Sequence, residues 1–373
     1  MNKRHNVLFI LHLPPPVHGA AIVGQHIKDS TYINRALNCR YINLGISTSI
    51  NDIGKTNIHK FFQYLSILWQ LFVQLLLFKP QLCYLTITSK GSGFYKDFPM
   101  VLLVKLFNRK IVYHFHNKGV IDRQNKVIDN ILYRIVLKNA HVILLSEYLY
   151  SDIRKYVPEI KVHYCPNGIP QLVSDFNHEN LCGLNEKVEI LFLSNLIESK
   201  GIFVLLDACE ILFKKGVPFH CTFAGNDGMI SSAYFQKKIN EKRLAGSVHY
   251  VGAKYGSEKE VLFRQSDIFA FPTYYHNECF PLVLIEAMQY RLPIITTFEG
   301  GIPDLVEDGL TGFLIPPIDA LALADKLEIL ICNPERRKQM GASGRAKFEK
   351  ELTIDVFENK LQTILNQIIC ENN

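Results

Sequence analysis

Several patterns that would point to other protein classes are missing from this sequence. Its nine cysteines are scattered with no C-x-x-C pair and no spacing of metal ligands, which argues against a zinc module and favours free thiols in a reducing cytosol. No D-x-D pair occurs, and internal repeats and low-complexity segments are lacking. With 48% hydrophobic and 20% charged residues, the 373-residue chain is globular and large enough for two domains with separate cores.

The charge is distributed unevenly between the two halves of the chain. Residues 1–185 hold 21 Lys+Arg against 10 Asp+Glu, a net charge of +11, whereas residues 186–373 hold 20 against 25, a net charge of −5. The basic half carries no zinc finger, RNP-like motif or basic stripe interleaved with aromatics, so nucleic acid is not an expected partner. An anionic membrane surface or an anionic lipid-linked molecule is favoured, and an ordinary solvated surface is the alternative.

Short apolar runs alternate with helical patterns along most of the chain. This alternation predicts parallel sheets covered by helices. The expected strands are residues 7–13, 82–88, 110–114, 141–145, 189–193, 220–224, 247–251, 268–271 and 294–296. We therefore predict an α/β protein of two doubly wound, Rossmann-like domains that face a central cleft, with ligands at the carboxyl ends of the strands.

The boundary between the domains is marked by composition. The strand and helix series breaks near residues 166–170, and a polar, turn-rich stretch at 174–185 is typical of a linker. This places a first domain at residues 1–173, a second at 186–351, and a terminal helical segment at 352–373. The basic start and apolar run at 7–13 imitate a signal peptide, but the run is short and meets three prolines, so we interpret it as a buried strand.

An unusually apolar segment spans residues 58–78. Gln63, Ser66, Gln70 and Gln74 recur in it at steps of three and four residues, which predicts one polar stripe along a helix. The segment is therefore expected to be amphipathic rather than membrane-spanning. Packing against the sheet of the first domain and lying in a membrane interface are the two interpretations that the pattern leaves open.

Two carboxylates eight residues apart form the most informative motif. Between Glu278 and Glu286, Pro281 suits the first position of a helix because its missing N–H costs nothing there. The amides at the helix start form an anion site: those of Phe280, Leu282 and Val283. Glu286 would lie about 7.5 Å along the helix, a suitable distance to accept from a ribose diol while a diphosphate rests on the helix end. The motif thus fits a nucleotide sugar, and a pair of structural carboxylates is the competing interpretation.

Five segments in order resemble one known family, the retaining, nucleotide-sugar-dependent glycosyltransferases of family 4, which have the GT-B fold. They are Pro-Pro-Pro-Val-His-Gly-Ala-Ala (14–21), Tyr-His-Phe-His-Asn (113–117), Leu-Ser-Asn-Leu-Ile-Glu-Ser-Lys-Gly (193–201), Phe-Ala-Gly-Asn-Asp-Gly (223–228) and the Glu pair (278–286). Each segment alone is weak, but together they cover most of the chain.

The resemblance assigns roles to residues of the second half. It places Lys200 against the diphosphate leaving group, Glu278 on the sugar hydroxyls and Glu286 on the ribose. Asn195 stands where the family commonly has an arginine, so leaving-group stabilisation falls more heavily on Lys200 and the amides near Phe280. Cys279 is a second departure, because glycine is usual beside the first Glu.

Further residues are assigned to the donor site by the same resemblance. Gly19 lets backbone approach a ligand closely, Gly225 leaves room for the donor, and the loop with Gly252 and Lys254 reads the nucleobase. His116, at the end of the strand 111–115, contacts the donor sugar near the reacting centre. His114 lies on the same strand face and remains an alternative.

The resemblance implies a metal-independent hexosyltransferase, in agreement with the missing D-x-D pair. No cofactor is expected beyond the nucleotide sugar as co-substrate, with a UDP-sugar favoured. The acceptor would be a lipid-linked glycan of an O-antigen or capsule, reached by a cytoplasmic enzyme that contacts the inner membrane face peripherally. The mechanism would be front-face attack with retention. A nucleotide-sugar 2-epimerase and a non-catalytic nucleotide-sugar-binding protein are the alternatives.

Overall fold

The computed structural model describes residues 4–45, 58–172 and 187–371, and the predicted linker at 174–185 lies outside these ranges. The chain divides into two compact units. Unit 1 comprises Met1–Gly168 with Ile354–Asn373, and unit 2 comprises Ile169–Thr353.

Unit 1 is built on a parallel sheet of six strands in the part of the chain that the structure describes. The strands are β1 (Asn6–Leu11), β2 (Asn38–Asn43), β3 (Leu82–Leu85), β4 (Lys110–His114), β5 (His141–Leu144) and β6 (Val162–Tyr164), in the spatial order β2-β1-β3-β4-β5-β6. The helices between them are α1 (Gly19–Asp29), α2 (Thr31–Ala36), α3 (Ile58–Val73), α4 (Gly91–Leu106), α5 (Val120–Arg123) and α6 (Val127–Leu137). Because helices cover both faces, β1, β3 and β5 read as continuous apolar runs.

Unit 2 repeats this architecture over its described residues. Its parallel strands are β7 (Val188–Leu193), β8 (Phe219–Ala224), β9 (Val248–Tyr250), β10 (Ile268–Phe271), β11 (Ile294–Thr297) and β12 (Gly312–Ile315), in the order β12-β11-β10-β7-β8-β9. The helices are α7 (Ile202–Lys214), α8 (Ser232–Glu241), α9 (Gly256–Gln265), α10 (Leu282–Gln289), α11 (Ile302–Leu305), α12 (Ala320–Cys332) and α13 (Pro334–Glu351). Asp319 and Asn333 cap α12 and α13 by accepting from the amides of Ala322 and Arg336.

The last helix, α14 (Ile354–Cys370), belongs to unit 1. Its apolar stripe is buried, and Tyr32 donates a hydrogen bond to Asn359 over 2.5 Å. Near its end, the Lys110 ammonium donates to the carbonyl of Ile368 at 3.1 Å. These contacts tie the end of the described chain to α2 and to the start of β4.

The fold prediction of two doubly wound, Rossmann-like domains is confirmed. All nine expected strands are present with ends shifted by up to three residues, and the sequence missed β2, β6 and β12. The missed strands lie at sheet edges. An edge strand has one unpaired side and more solvent, so its residues need not be continuously apolar, and the pattern of β2, Asn-Cys-Arg-Tyr-Ile-Asn, alternates instead.

Helix α3 continues as a π turn over Gln74–Phe78, and together they form the segment predicted from the sequence. By length and composition alone, the stretch Ile58–Phe78 is apolar enough to cross a membrane. Only 22% of an 18-residue portion of it is buried in the protein. Ser66 and Gln70 of the predicted polar stripe are exposed. However, large apolar side chains are exposed beside them, so the outer surface of the helix is less polar than the stripe predicted.

Candidate functional site

Lys200 and Glu278 are brought together at the carboxyl edge of the sheet in unit 2. Lys200 ends a short 3-10 turn, Glu198–Lys200, that follows β7, and Glu278 lies in the loop between β10 and α10. The Lys200 ammonium lies 2.5 Å from Glu278 Oε2, and the two side chains are 16% and 10% exposed. This ion pair joins two of the three residues, Lys200, Glu278 and His116, for which the family resemblance implies catalytic roles.

Aromatic rings form part of the surroundings of the Lys200 ammonium. Lys200 Nζ lies 4.5 Å from the centroid of the Tyr275 ring and 5.5 Å from that of Phe271. A ring face attracts a cation without neutralising it. The two rings therefore help the ion pair with Glu278 to hold the ammonium in one place. Tyr275 was not foreseen from the sequence, because only the fold brings it to Lys200.

The loops that carry Lys200 and Glu278 pack closely against other backbone segments, at Gly201 and Gly300 respectively. Gly201 has φ +88°, and a Cβ there would lie 2.2 Å from the carbonyl oxygen of Pro272. Gly300 has φ +57°, and a Cβ there would lie 2.2 Å from the carbonyl oxygen of Glu278. The next amide, that of Gly301, donates to Cys279 O over 2.7 Å. A side chain at either glycine would therefore displace the Lys200 or the Glu278 loop.

The helix after Glu278 begins one residue later than the sequence predicted. We expected Pro281 to be its first residue, but α10 begins at Leu282 and Pro281 has extended N-cap geometry, with ψ 119°. The preceding Cys279 and Phe280 are buried and hold the entry to the helix. Since the amides of Leu282 and Val283 belong to the first turn, no carbonyl one turn earlier is available to them. The predicted anion site thus keeps the amides of Leu282 and Val283, whereas the amide of Phe280 precedes the N-cap and lies outside the helix.

The second carboxylate of the motif has a lysine partner. Glu286 Oε1 accepts from Lys259 Nζ over 2.5 Å, with both side chains under a third exposed. A carboxylate inside the apolar sequence of α10 requires such a donor. Lys259 lies on α9, whose sequence gave no signal for this contact. The Lys259 ammonium thus orients the Glu286 carboxylate, which could accept hydrogen bonds from a diol.

Other predicted donor residues lie on the loops that follow β7, β8 and β9. Asn195 is half-buried just after β7. At Gly225 a Cβ would lie 1.8 Å from Ser194 O, so the approach of two backbone loops already requires glycine there. Gly252 accepts from the Gly225 amide at 3.0 Å, and Lys254 forms an ion pair of 2.9 Å with Glu258. Their contacts with a nucleotide stay predictions.

Gly19 and His116 lie in unit 1, at the carboxyl ends of β1 and β4. Gly19 is the first residue of α1, and a Cβ there would meet no atom within 4 Å. The protein itself therefore leaves open space beside this residue. His18 accepts from the Ala21 amide at 3.4 Å and caps α1.

The structure separates the roles of the two histidines of β4. His114, the last residue of the strand, is completely buried and its Nδ1 lies 2.5 Å from the hydroxyl of Tyr84. His116 lies two residues beyond the strand end, not at its end, and is half-buried with a buried Nε2 that has no hydrogen-bond partner among the described residues. The Nε2 atom of His114 is likewise buried without a partner among the described residues, so exposure is what distinguishes the two: His114 is a core residue, and the half-buried His116 is the better candidate for a ligand contact.

A third histidine, His12, interacts electrostatically with His18 and His116. The sequence analysis did not identify it as a site candidate. It directly follows β1, and its ring centroid lies 5.8 Å from that of His18. Burial, together with smaller electrostatic contributions from Lys96, His18 and His116, lowers the pKa of His12 to about 3. Burial, together with His18, lowers the pKa of His116 to about 4. Both imidazoles are therefore neutral at pH 7.

These shifts predict an acid-sensitive fold. Below an unfolded pKa of 6.5 the unfolded chain binds protons that folded His12 and His116 do not bind, so the free energy of unfolding falls as the pH drops from about 6.5 towards 4. Each histidine contributes about 1 kcal/mol per pH unit within that window. Calorimetric melting from pH 7.5 to 4.5 measures the slope. The double variant His12→Asn/His116→Asn should lose part of it, and an equal slope in the variant contradicts the assignment.

Among residues 4–45, 58–172 and 187–371, no group of three or more His, Cys, Asp or Glu side chains is arranged to hold a metal ion. Each cysteine within these ranges is a free thiol, six of them at least half-buried and Cys332 and Cys370 exposed.

Comparison with known proteins points to glycosyltransferases at each step. Residues 176–347 match the family model for glycosyl transferases group 1. The capsular polysaccharide biosynthesis glycosyltransferase CapM of Staphylococcus aureus is 29% identical over 192 residues, which is 51% of this chain and 48% of CapM. The amylovoran biosynthesis glycosyltransferase AmsK of Erwinia amylovora is 31% identical over 215 residues, 57% of this chain and 52% of AmsK. The matches thus span about half the length of these relatives.

Solved structures show the same fold over nearly the whole chain. A glycosyltransferase from Rickettsia africae has a TM-score of 0.76 at 17% identity, covering 99% of this chain and 100% of that one. HepE of Anabaena, solved with UDP-glucose, has a TM-score of 0.73 at 17% identity, covering 97% and 99%. The two Rossmann-like units therefore belong to the GT-B class. Residues 176–347, which match the glycosyl transferases group 1 model, contain three of the five motifs, at 193–201, 223–228 and 278–286, in agreement with the family resemblance of the sequence.

Proposed function

We propose that the protein is a retaining glycosyltransferase that moves a sugar from a nucleoside diphosphate sugar to a lipid-linked or glycan acceptor. The observation that carries this proposal is the Lys200–Glu278 ion pair beside the open first turn of α10. A cation, amides of a first helical turn and a carboxylate are the groups that a diphosphate and its sugar require, which supports the proposal. The Glu286 carboxylate, four residues into the same helix, would accept from the ribose hydroxyls.

The reaction would proceed on one face of the sugar. The bond between the anomeric carbon and the phosphate oxygen breaks, and the electron pair leaves with the nucleoside diphosphate. The acceptor oxygen forms its bond to the same carbon from the same side, and its proton passes to the departing phosphate. Lys200 and the amides of Leu282 and Val283 would stabilise the charge on the leaving group, in place of a metal ion.

Glu278 would hold the sugar during this step, and the contact of His116 with the sugar stays a prediction. In the ion pair with Lys200, Glu278 has one oxygen on the ammonium and another free for sugar hydroxyls. His116 is neutral at pH 7 because burial lowers its pKa to about 4, so its imidazole acts as a hydrogen-bonding group rather than as a charge. Gly19 would let the backbone after β1 approach the donor.

The donor and acceptor follow from the comparisons only by analogy. HepE was solved with UDP-glucose, which supports a UDP-hexose as the first donor to test. CapM is named for capsular polysaccharide biosynthesis, which supports an acceptor in cell-envelope polysaccharide, such as an O-antigen or capsule unit on a lipid carrier. Such an acceptor places the enzyme in the cytoplasm, peripherally on the inner face of the membrane. No further cofactor is proposed.

Incubation of the purified protein with a panel of UDP-, GDP- and dTDP-sugars tests this function. We expect slow release of nucleoside diphosphate without acceptor from one donor, and faster release when a membrane lipid extract is added. Product analysis separates the alternatives, since a 2-epimerase returns an isomerised nucleotide sugar. Tight donor binding with neither release nor isomerisation would contradict transfer and favour a binding protein.

A further inference from the structure

Helix α3 presents an apolar stripe outward from unit 1. Phe61, Leu65 and Trp69 follow one another at steps of four residues and are 57%, 43% and 66% exposed. Side chains at this spacing lie on one face of a helix. Leu76 and Leu77 extend the exposed apolar surface into the π turn that follows.

The opposite side of the same helix is apolar as well. Ile67, Leu71, Leu75 and Phe78 are buried in unit 1. Packing in the domain therefore accounts for one apolar stripe and leaves the second uncovered. A helix that is apolar on both sides requires a second apolar environment.

Helix α6 repeats this arrangement. Val127, Ile131 and Ile135 are exposed at steps of four residues, and Ile128 beside them is 68% exposed. The side of α6 that faces the core carries buried Tyr133, Val136 and Leu137. Two helices of unit 1 thus have an unpartnered aliphatic or aromatic stripe.

The two stripes belong to one surface. Helices α3, α4 and α6 each connect strands that advance in the same direction along the sheet, so right-handed crossovers put all three on the same face. Tyr64 of α3 donates to Lys96 O of α4 at 2.5 Å. Tyr95 of α4 in turn donates to Asp129 of α6 at 2.5 Å, and Lys105 donates to Lys138 O at 2.7 Å. Helix α4 therefore joins α3 to α6 side by side.

The segment that contains this helical layer is strongly basic. Residues 58–138 hold 12 Lys+Arg against 3 Asp+Glu, a net charge of +9. Each of the three acids is already compensated: Asp97 lies 3.8 Å from Lys96, Asp122 pairs with Lys90, and Asp129 pairs with Arg123. Three exposed basic residues border the α6 stripe, namely Lys126, Arg134 and Lys138.

We propose that the outer surface of α3 and α6 docks on an anionic lipid bilayer, with both stripes inserted among the acyl chains and the basic side chains on the lipid headgroups. Apolar stripes bordered by positive charge are the combination that holds a helix in the plane of such an interface. A second copy of the chain fits less well, because two surfaces of net positive charge would repel each other. Docking by this surface rests on the proposed function and would supply its peripheral membrane contact.

Trp69 makes the test specific, because it is the single tryptophan of the chain and lies in the α3 stripe. We expect its emission to shift to the blue when vesicles of phosphatidylglycerol and phosphatidylcholine are added, and brominated acyl chains to quench it. Pure phosphatidylcholine vesicles should bind at least about tenfold more weakly, and salt above physiological strength should weaken the binding to the anionic vesicles.

Matched variants separate the two stripes. Phe61→Gln/Leu65→Gln on α3 and Ile128→Gln/Ile131→Gln on α6 should each reduce vesicle partitioning at least about tenfold, because each removes two apolar side chains from the lipid. Leu321→Gln/Phe298→Gln, which changes two comparably exposed side chains of unit 2, should leave it unchanged. Melting temperatures identify any variant that fails to fold, and in that case Arg134→Glu/Lys138→Glu tests the charge contribution alone.

Equal binding of neutral and anionic vesicles, or equal binding of the stripe variants and the unit 2 control, overturns the proposal. A dimer in the absence of vesicles that the stripe variants dissociate also overturns it, in favour of a second copy of the chain. No donor or acceptor is present in these measurements, so their failure is independent of any failure of the proposed transfer reaction.

Discussion

Replacement of Lys200 by alanine is expected to lower turnover at least about a hundredfold, the scale for loss of one preorganised donor to a developing anion. The expectation depends on the assignment of this ammonium to the diphosphate leaving group. Because the charge is needed most when the bond to the phosphate breaks, turnover should fall more than donor affinity. Steady-state kinetics with the best donor of the panel measures both quantities.

The controls for this experiment follow from the ion pair. Lys200→Ala leaves Glu278 nearly buried without its partner, which destabilises the loop. Lys200→Met/Glu278→Gln removes both charges and should melt closer to the wild-type temperature while remaining inactive. Lys214→Ala breaks an exposed ion pair on α7 with Glu210 and should keep full turnover. Near-normal turnover of Lys200→Ala would refute the leaving-group role.

Asn195, which stands where the family commonly has an arginine, allows an experiment that tests for restored activity. If this position faces the same diphosphate, Asn195→Arg in the Lys200→Ala background should restore part of the turnover, because arginine supplies a fixed positive charge and up to five donors. The half-buried position after β7 leaves the side chain in contact with solvent. Loss of activity without rescue would retain the role of Lys200 and show that Asn195 points elsewhere.

Glu286→Ala is expected to weaken binding of the nucleoside diphosphate itself by about 10- to 100-fold, the equivalent of roughly 1.5–3 kcal/mol for hydrogen bonds to a charged group. A ribose contact is present in the ground state and in the transition state alike, so affinity and not only turnover should change. Titration calorimetry with UDP measures the dissociation constant. Unchanged affinity in a folded variant would remove the ribose assignment.

Deoxy nucleotides make this experiment specific to the ribose. Wild-type protein should bind 2′-deoxy-UDP more weakly than UDP, whereas Glu286→Ala should bind both equally, since the hydroxyl has lost its acceptor. Lys259→Met tests the ammonium that orients Glu286 at 2.5 Å. It should weaken binding less than Glu286→Ala does, because the acceptor itself remains. A deoxy penalty of equal size in all three proteins would place the diol on other groups.

Buried strands and short-range motifs were determined by the sequence alone. The central strands of both sheets are continuous apolar runs, because parallel strands covered on both faces exclude water. The edge strand β2 was missed since half of its side chains face solvent, and the start of α10 was placed one residue early because Pro281 suits both an N-cap and a first helical position. The Glu pair and its neighbouring segments sufficed for the family resemblance, since the spacing from the loop before α10 to the second turn of the helix is a local property of the chain.

Contacts between distant segments were decided only by the tertiary structure. Lys200 and Glu278 are 78 residues apart in the chain, and their distance of 2.5 Å follows from β7 and β10 pairing side by side. The sequence gives no indication that Lys259, Tyr275 and His12 lie at the site. The order of the strands in each sheet decides which strand ends lie side by side, and this order determines the partners of each residue. The outward apolar stripe of α3 was hidden for the same reason. Composition records how many apolar residues a helix has, and only packing decides which of them the domain covers.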